Sequence, residues 1–219
     1  MRPLAGRALL AALLSLAVTG VAVPPNASAA VGQVPAPRHG LGAIPPSARV
    51  EASAFLAGQG RLRMALPTSV DLSQNAPAIG DQGQVGSCAP WAIGYGILGY
   101  YARTQPHAGA PFAALSLYNI VNGGVDGGSR STDIYAALQG KGIVEQAVWT
   151  HGPADYRSQP SSTEAANALK HRTSGGSYLF SGQNQGTAAM TAIETALAAG
   201  KPVAIGIPIY MPFEYLNAT

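Results

Sequence analysis

The pattern of apolar and polar residues divides the chain into three parts. Residues 8–23 are almost entirely apolar, residues 31–65 are rich in proline, and from residue 66 onward amphipathic segments alternate with glycine-rich loops. Within residues 88–103, apolar side chains recur at steps of three and four positions: Trp91, Tyr95, Leu98, and Tyr101 or Ala102. This spacing predicts a helix with one buried face, with Ser87 as its N-cap and Pro90 in its first turn.

Other segments with helical spacing are predicted to be helices: residues 115–121, 132–139 and 188–199, with a surface helix at 162–171. Ser116 is the predicted start of the first of these helices, and Ser131 or Thr132 caps the second. The last helix has an apolar stripe of Met190, Ile193 and Leu197. Residues 203–210 are an apolar run between prolines and are predicted to be a β-strand. Helices followed by a strand indicate an α+β fold.

The first 29 residues have the three-part form of an export signal. Arg2 and Arg7 lie in a basic start, residues 8–23 form the apolar part, and Ala27-Ser28-Ala29 supplies small residues for cleavage. The apolar part has 16 residues, fewer than the roughly 20 needed to span a bilayer as a helix. We therefore predict a cleaved signal, a secreted, extracellular protein and no stable membrane anchor. An uncleaved anchor is the alternative.

Two regions follow the signal. Residues 30–65 are predicted to be a linker or a short pro-segment, because prolines and glycines are frequent there and the segment is too short for a folded domain. The composition changes at Leu66-Pro67, so residues 66–219 are predicted to form the folded domain.

Charge and cysteine content exclude several kinds of partner. Removing Arg2 and Arg7 with the signal leaves 11 basic residues against 10 acidic ones, and no basic run with interleaved aromatics occurs, so no nucleic-acid partner is predicted. A single cysteine allows neither an internal disulfide nor a cysteine-based zinc or iron–sulfur site. We predict no metal and no cofactor. Cys88 is left as a buried apolar residue, an intermolecular linker or a reactive thiol.

The residues before Cys88 favour the reactive thiol. A glycine-rich loop, residues 81–87, leads into a helix whose first turn contains Cys88, and the N–H groups and dipole of a helix start stabilise a thiolate. Gln82 lies six residues earlier, where its amide could donate a hydrogen bond to a developing oxyanion. A small buried thiol beside a solvated glutamine explains the same residues, and these arguments alone leave both interpretations open.

A family resemblance distinguishes the two. Leu66-Pro67-x-x-Val70-Asp71, followed by Asp81-Gln82-Gly83-Gln84-x-Gly86-Ser87-Cys88, resembles the opening of a papain-like cysteine peptidase domain. Further matches follow the same order: Leu115-Ser116-x-Tyr118, Asp126-Gly127-Gly128, residues 132–144 and residues 196–210. The resemblance implies a papain-like α+β fold, with its helical left half present and its β-rich right half only begun. It also implies Cys88 as nucleophile, Gln82 in the oxyanion hole, and Gly127 and Gly128 binding the substrate backbone.

The sequence departs from the family pattern at two positions near the nucleophile. Val85 replaces a cysteine that usually forms a disulfide, and Ala89-Pro90 separates Cys88 from Trp91, although the family usually has tryptophan directly after the nucleophile. The first departure is consistent with a chain that has one cysteine. The second changes the packing expected beside the nucleophile.

The resemblance also implies a catalytic histidine and an orienting asparagine, both after the strand at residues 203–210. The four histidines, His39, His107, His151 and His171, are expected to be surface residues and not this base. We therefore expect the 219 residues to be truncated before the catalytic pair and to be inactive on their own.

The resulting hypothesis is an exported cysteine-type endopeptidase that hydrolyses peptide bonds through a thiolate and an acyl-enzyme intermediate. Its partner would be a peptide or protein substrate. The alternative is a non-catalytic secreted binding or adhesion module on the same fold.

Overall fold

The computed structural model describes residues 39–45, 66–105, 109–174, 176–179 and 186–210, all of which belong to one compact unit that spans residues 36–219. The predicted signal, most of the predicted linker and His107 lie outside the described residues. Among the described helices, none is both long and apolar enough to cross a membrane.

Five helices and one small sheet make up the regular structure of the described residues. Helix α1 has three consecutive segments, α-helical Cys88–Pro90, π-helical Trp91–Leu98 and α-helical Gly99–Thr104. The other helices are α2 (Ala114–Asn122), α3 (Ser131–Gly140), α4 (Ser162–Ala168, extended by a 3₁₀ turn at Leu169–His171) and α5 (Gly186–Ala198). A 3₁₀ turn at Ser73–Asn75 precedes them. Strand β1 (Ala43–Ile44) pairs in parallel with β2 (Ser129–Arg130). A helical assembly with a barely begun sheet agrees with the α+β prediction.

The predicted strand at residues 203–210 is wrong. These residues form neither helix nor strand, and Ile205 and Tyr210 are 60% and 73% exposed. A strand requires a neighbour that accepts and donates its backbone hydrogen bonds. No described segment pairs with residues 203–210, so their β propensity has no ladder to join.

The buried face of α1 differs from the predicted stripe. Ala89, Ile93 and Tyr100 are buried, whereas Trp91 and Tyr95 are only partly buried. The central π-helical turns have a wider repeat than an α-helix, so α-helical spacing selects the wrong residues there.

Close packing against side chains explains a glycine within this helix. A Cβ on Gly94 would lie 2.7 Å from Ile143 Cδ1 and 3.2 Å from Leu117 Cδ2. Because Gly94 has no side chain, α1 packs closely against Leu117 and Ile143.

Two apolar clusters contain residues from around the start of α1, and residues of α2 belong to both clusters. The first contains Val85, Ala113, Leu115, Tyr118, Val144, Trp149 and Ala168. The second contains Ala89, Ile93, Phe112, Leu117, Ile134, Leu138 and Ile143. Because Val85 and Ala89 flank Cys88 in sequence and belong to different clusters, the core holds the cysteine loop on both sides.

Ser87 and Ser116 do not have the predicted roles at the starts of α1 and α2. Ser87 occupies the N-cap position of α1, but its Oγ donates to the Val85 carbonyl at 3.4 Å and makes no cap. Ser116 lies inside α2, where its Oγ donates to the Ala113 carbonyl at 2.7 Å and accepts the Val144 N–H at 3.1 Å. The buried Ser116 hydroxyl therefore fastens a neighbouring loop to the helix.

Two further predictions about helices fail in detail. Helix α3 begins at Ser131 after Arg130 in the N-cap position, without a side-chain cap. In α5 Ala192 and Ala196 are buried, Ile193 and Leu197 of the predicted stripe are partly buried, and Met190 is 55% exposed. The buried face of α5 is thus centred on alanines, and Met190 does not belong to it.

Helix α4 is the predicted surface helix, because Ser162, Thr163, Ala165 and Ala166 are exposed, and a buried carboxylate anchors it to the fold. Ser161 and Glu164 form a capping box, and Glu164 is 1% exposed. One carboxylate oxygen accepts the Thr150 N–H at 2.9 Å, and the other accepts the Ser161 N–H at 2.8 Å and lies 3.3 Å from His151 Nε2. Burial alone would raise the pKa of Glu164, but these hydrogen bonds lower it to about 2.

We predict that Glu164→Gln destabilises the fold in a pH-dependent way. At pH 7 the loss should be about 1–3 kcal/mol, because an amide leaves buried donors without an acceptor. The folded-state pKa lies below the ordinary value of 4.5, so the ionised group stabilises the fold above pH 4.5 and this contribution fades as the pH falls toward 2. Urea unfolding of both proteins at pH 7, 4.5 and 3 measures this.

The matched control is Glu194→Gln, which changes an exposed carboxylate on α5. It should leave the free energy of unfolding nearly unchanged at every pH. A Glu164→Gln defect of equal size at all three pH values would contradict the anchoring role.

Candidate active site

The loop before Cys88 is held in shape by its own polar groups. The Asp81 carboxylate accepts the Gly83 N–H at 2.8 Å, and the Gln82 side-chain amide donates to the Val85 carbonyl at 3.1 Å. Gly83 has a φ of +63°, a left-handed conformation that glycine adopts without strain. The loop thus delivers Gln82 and Cys88 to the site as parts of one rigid turn.

Cys88 is the first residue of α1 and is partly exposed. The turn is closed behind it by the Trp91 N–H, which donates to the Ser87 carbonyl at 3.0 Å. Cys88 Sγ accepts a hydrogen bond from the backbone N–H of Gly42 at 3.2 Å. A backbone segment from far earlier in the chain therefore lies directly against the thiol.

This covering segment, residues 39–45, contacts each part of the predicted site in turn. The Gly40 carbonyl accepts the Gln82 Nε2 hydrogen bond at 2.6 Å. Two residues later, the Gly42 N–H meets Cys88 and the Gly42 carbonyl accepts the Ser129 N–H at 2.8 Å. The segment then continues as β1 along β2, directly after the predicted substrate-binding glycines.

The covering segment approaches so closely that only glycine fits. A Cβ on Gly40 would overlap the Val85 carbonyl, and a Cβ on Gly42 would overlap the Gly86 carbonyl. On the opposite side, a Cβ on Gly128 would lie 2.5 Å from the Gly42 carbonyl oxygen, and Gly128 has a φ of +81°. Backbone therefore passes backbone on both sides of residue 42.

The two predicted substrate-binding glycines differ in their surroundings. Gly128 lies against the covering segment, and its N–H donates to the Tyr118 hydroxyl at 3.0 Å. Gly127 is exposed, a Cβ added to it would meet nothing within 4 Å, and its N–H donates to the Val125 carbonyl at 2.9 Å. The structure thus brings Gln82, Cys88 and Gly128 to one segment, with Gly127 facing open space beside them.

Two polar residues of the site were quoted in the sequence patterns without a role. Asp126 Oδ1 accepts the Gly86 N–H at 2.9 Å and the Tyr118 hydroxyl at 2.6 Å. Burial, followed by the hydrogen bond to Asp126, raises the pKa of Tyr118 to about 12. The sequence signals for this contact are Leu115-Ser116-x-Tyr118 and Asp126-Gly127-Gly128, and neither shows that the tyrosine and the aspartate meet.

The three described histidines each pair with a carboxylate. His39 Nε2 lies 3.4 Å from Asp81 Oδ1, and His171 Nε2 lies 2.8 Å from Glu145 Oε1. The side chains of His151 and His171 are only 23% and 11% exposed, so the expectation that they are surface residues is wrong. Among the described residues, no three histidine, cysteine or acidic side chains gather as a metal site.

We predict that Gly42→Ala uncovers Cys88. The added methyl overlaps the Gly86 carbonyl, and the covering segment is the more exposed of the two partners, so it should be the one that moves. Overpacking of about 1–3 kcal/mol would raise the rate of Cys88 alkylation by iodoacetamide by about tenfold or more. Mass spectrometry at fixed reagent concentration measures the rate.

Gly140→Ala is the control, because a Cβ there meets nothing within 4 Å. Its alkylation rate should match the wild type. Equal rates for Gly42→Ala and Gly140→Ala would show that the segment does not limit access to the thiol.

No protein-family model matches the chain, and no curated protein matches its sequence. Among solved structures, the chain is similar to xylellain, a cysteine protease from Xylella fastidiosa, with a TM-score of 0.56, 20% identity, 75% of this chain and 65% of that chain covered. A structure concerning the mite allergens Blo t 1 and Der p 1 matches at a TM-score of 0.38 and 19% identity, with 46% of this chain and 38% of that chain covered. The chain thus spans 65% of the length of xylellain and shares the papain-like fold of that protease.

Proposed function

We propose that this protein is a papain-like cysteine endopeptidase with Cys88 as its nucleophile. The main support is the covering segment, which brings a backbone carbonyl to Gln82 and a backbone N–H to Cys88 within three residues. A loop that binds a polypeptide backbone beside a thiol is what a peptide-binding groove at Cys88 would require. The fold shared with xylellain agrees with this assignment.

The proposed chemistry assigns one role to each residue. The Cys88 thiolate attacks the scissile carbonyl carbon, the C–N bond breaks and the amine leaves with a proton from the histidine that held the thiol proton. Water then hydrolyses the thioester, which releases the carboxylic acid and the Cys88 thiol. The Gln82 amide and the Cys88 backbone N–H donate hydrogen bonds to the oxyanion. Gln82 already donates at 2.6 Å to the Gly40 carbonyl, the same chemical group in its ground state. Gly127 and Gly128 align the substrate backbone.

The proton acceptor is proposed to come from outside the described histidines. His151 and His171 are bound to carboxylates in the helical part, and His39 lies on the covering segment beside Asp81. A histidine base and an orienting asparagine in the β-rich half of the whole protein would complete the mechanism. Residues 1–219 alone are accordingly expected to hydrolyse little or no peptide.

We further propose that the protein acts outside the cell. Residues 1–29 would direct export and be removed, and residues 30–65, which include the covering segment, would act as a short pro-segment. The substrates would be extracellular peptides or proteins, without a nucleic acid, a cofactor or a stable membrane anchor.

The second candidate is a non-catalytic secreted binding or adhesion module. Ala89-Pro90 favours it, because both residues are buried where the family usually places tryptophan beside the nucleophile. In that case the groove would bind a peptide and leave it intact.

We predict that casein hydrolysis by the full-length gene product depends on Cys88 and Gln82. Cys88→Ser should abolish turnover, because the hydroxyl lacks the acidity of the thiol. Gln82→Ala should lower kcat about 10²-fold or more, since one oxyanion donor is lost. Fluorescence release from labelled casein gives the rates.

A peptidyl vinyl sulfone should also label the full-length product at Cys88 and should not label Cys88→Ser. Casein binding without hydrolysis, unchanged in Cys88→Ser, would instead establish the binding module and overturn the peptidase.

A further inference from the structure

A partly buried chain of hydrogen bonds joins the cysteine loop to the glycine loop. The Gly86 N–H donates to Asp126 Oδ1 at 2.9 Å, the Tyr118 hydroxyl donates to the same oxygen at 2.6 Å, and the Gly128 N–H donates to the Tyr118 hydroxyl at 3.0 Å. Gly86 lies two residues before Cys88, and Gly128 belongs to the predicted substrate-binding pair. The chain of hydrogen bonds therefore extends from two residues before Cys88 to a glycine that the proposed function assigns to substrate binding.

The centre of this chain is anchored in the core. Tyr118 lies on α2, is fully buried and packs in the apolar cluster that also contains Val85 and Leu115. Its ring cannot move without disturbing that cluster, so its hydroxyl is a fixed point. Asp126, by contrast, lies in an irregular loop between α2 and β2.

Each group in this chain of hydrogen bonds acts as the donor or acceptor that its chemistry allows. The Tyr118 hydroxyl is donor to a carboxylate and acceptor from an amide, and Asp126 Oδ1 accepts two donors. Hydrogen bonds to a carboxylate are short and strong, and bonds that share a donor or acceptor group reinforce one another. Loss of one group should consequently weaken the bonds at the far end of the chain.

The spacing between the two loops has to be narrow. Gly42 reaches Cys88 Sγ with its N–H and Ser129 with its carbonyl, so a single residue of extended backbone spans the gap. A peptide bound in the same gap could not follow loops that drift apart, and misplacement by about 1 Å is enough to slow a positioned reaction severely. The single cysteine of the chain leaves no disulfide to set this spacing.

We propose that Tyr118 and Asp126 are positioning residues, a hydrogen-bonded clamp that holds the Cys88 loop and the Gly127–Gly128 loop at the separation a peptide backbone requires. The proposal deepens the proposed function and rests on it for the identity of the groove. The clamp itself is a property of the folded chain and can be tested without any turnover.

Amide hydrogen exchange, followed by NMR on the full 219-residue chain, tests the clamp. In Tyr118→Phe, exchange at Gly86 should accelerate about tenfold although its own acceptor, Asp126, is unchanged; in Asp126→Asn, exchange at Gly128 should accelerate similarly. Tyr178→Phe is the matched control, because its hydroxyl bonds to Ser131 at 3.4 Å outside the clamp. It should leave both amides unchanged.

The pattern of exchange separates a clamp from a purely structural role. Acceleration confined in each variant to the amide that lost its direct partner would overturn the coupling. Equal acceleration throughout the core, including Ile134 and Leu138 of α3, in both variants would also overturn it, because that result reports global stability. Persistence of the cross-loop effect in Asp126→Asn supports the clamp even if Tyr118→Phe unfolds.

Labelling of Cys88 connects the clamp to the groove. In the full-length product, Tyr118→Phe should weaken the apparent binding of a peptidyl vinyl sulfone about tenfold and change its maximal labelling rate little, since binding of the peptide uses both loops. If exchange is coupled but the peptidyl probe gains nothing over iodoacetamide in the wild type, the clamp stands and the proposed peptidase groove fails. If the probe labels well and equally in both proteins, the groove stands and the positioning role fails.

Discussion

Backbone passes backbone beside Cys88 with no room for a side chain, and the geometry of the candidate site depends on this approach. Gly42 lies between the Gly86 carbonyl and Gly128, and a Cβ at either 42 or 128 would enter its neighbour. Hydrogen bonds from Gly42 to Cys88 and from Ser129 to Gly42 form only at that separation. Glycine is thus required here for the space that it leaves more than for the conformations it allows.

Helix α2 supports this arrangement through polar groups that point into the core. Ser116 accepts a hydrogen bond from the Val144 backbone, and Asn119 Nδ2 donates at 2.7 Å to each of the carbonyls of Asp155 and Ser158. Together with Tyr118, these side chains satisfy loop backbone groups that would otherwise be buried without partners. Polar side chains of α2 therefore hold the neighbouring irregular segments by hydrogen bonds, and its apolar side chains pack in the two core clusters.

Local sequence patterns predict much of the helical part, because helix starts, breakers and spacing are local properties. The helix from Cys88 and the end of α2 at Gly123, which has a φ of +62°, both follow such signals. The π-helical turns of α1 and the burial of Glu164 depend on tertiary packing, which no window of sequence contains. The covering segment was missed for the same reason, since its few glycines carry no apolar signal and gain their contacts only from Gln82, Cys88 and Ser129.

Hydrogen bonds, and not a disulfide, join the cysteine loop to the glycine loop. The redox conditions that keep a thiol reduced therefore do not affect the link between the two loops. A thiol nucleophile must stay reduced, whereas a structural disulfide beside it must stay oxidised. With one cysteine in the chain, reductants that protect Cys88 have no cross-link to break. The oxidation state of the surroundings can therefore alter the chemistry of this site without loosening its framework.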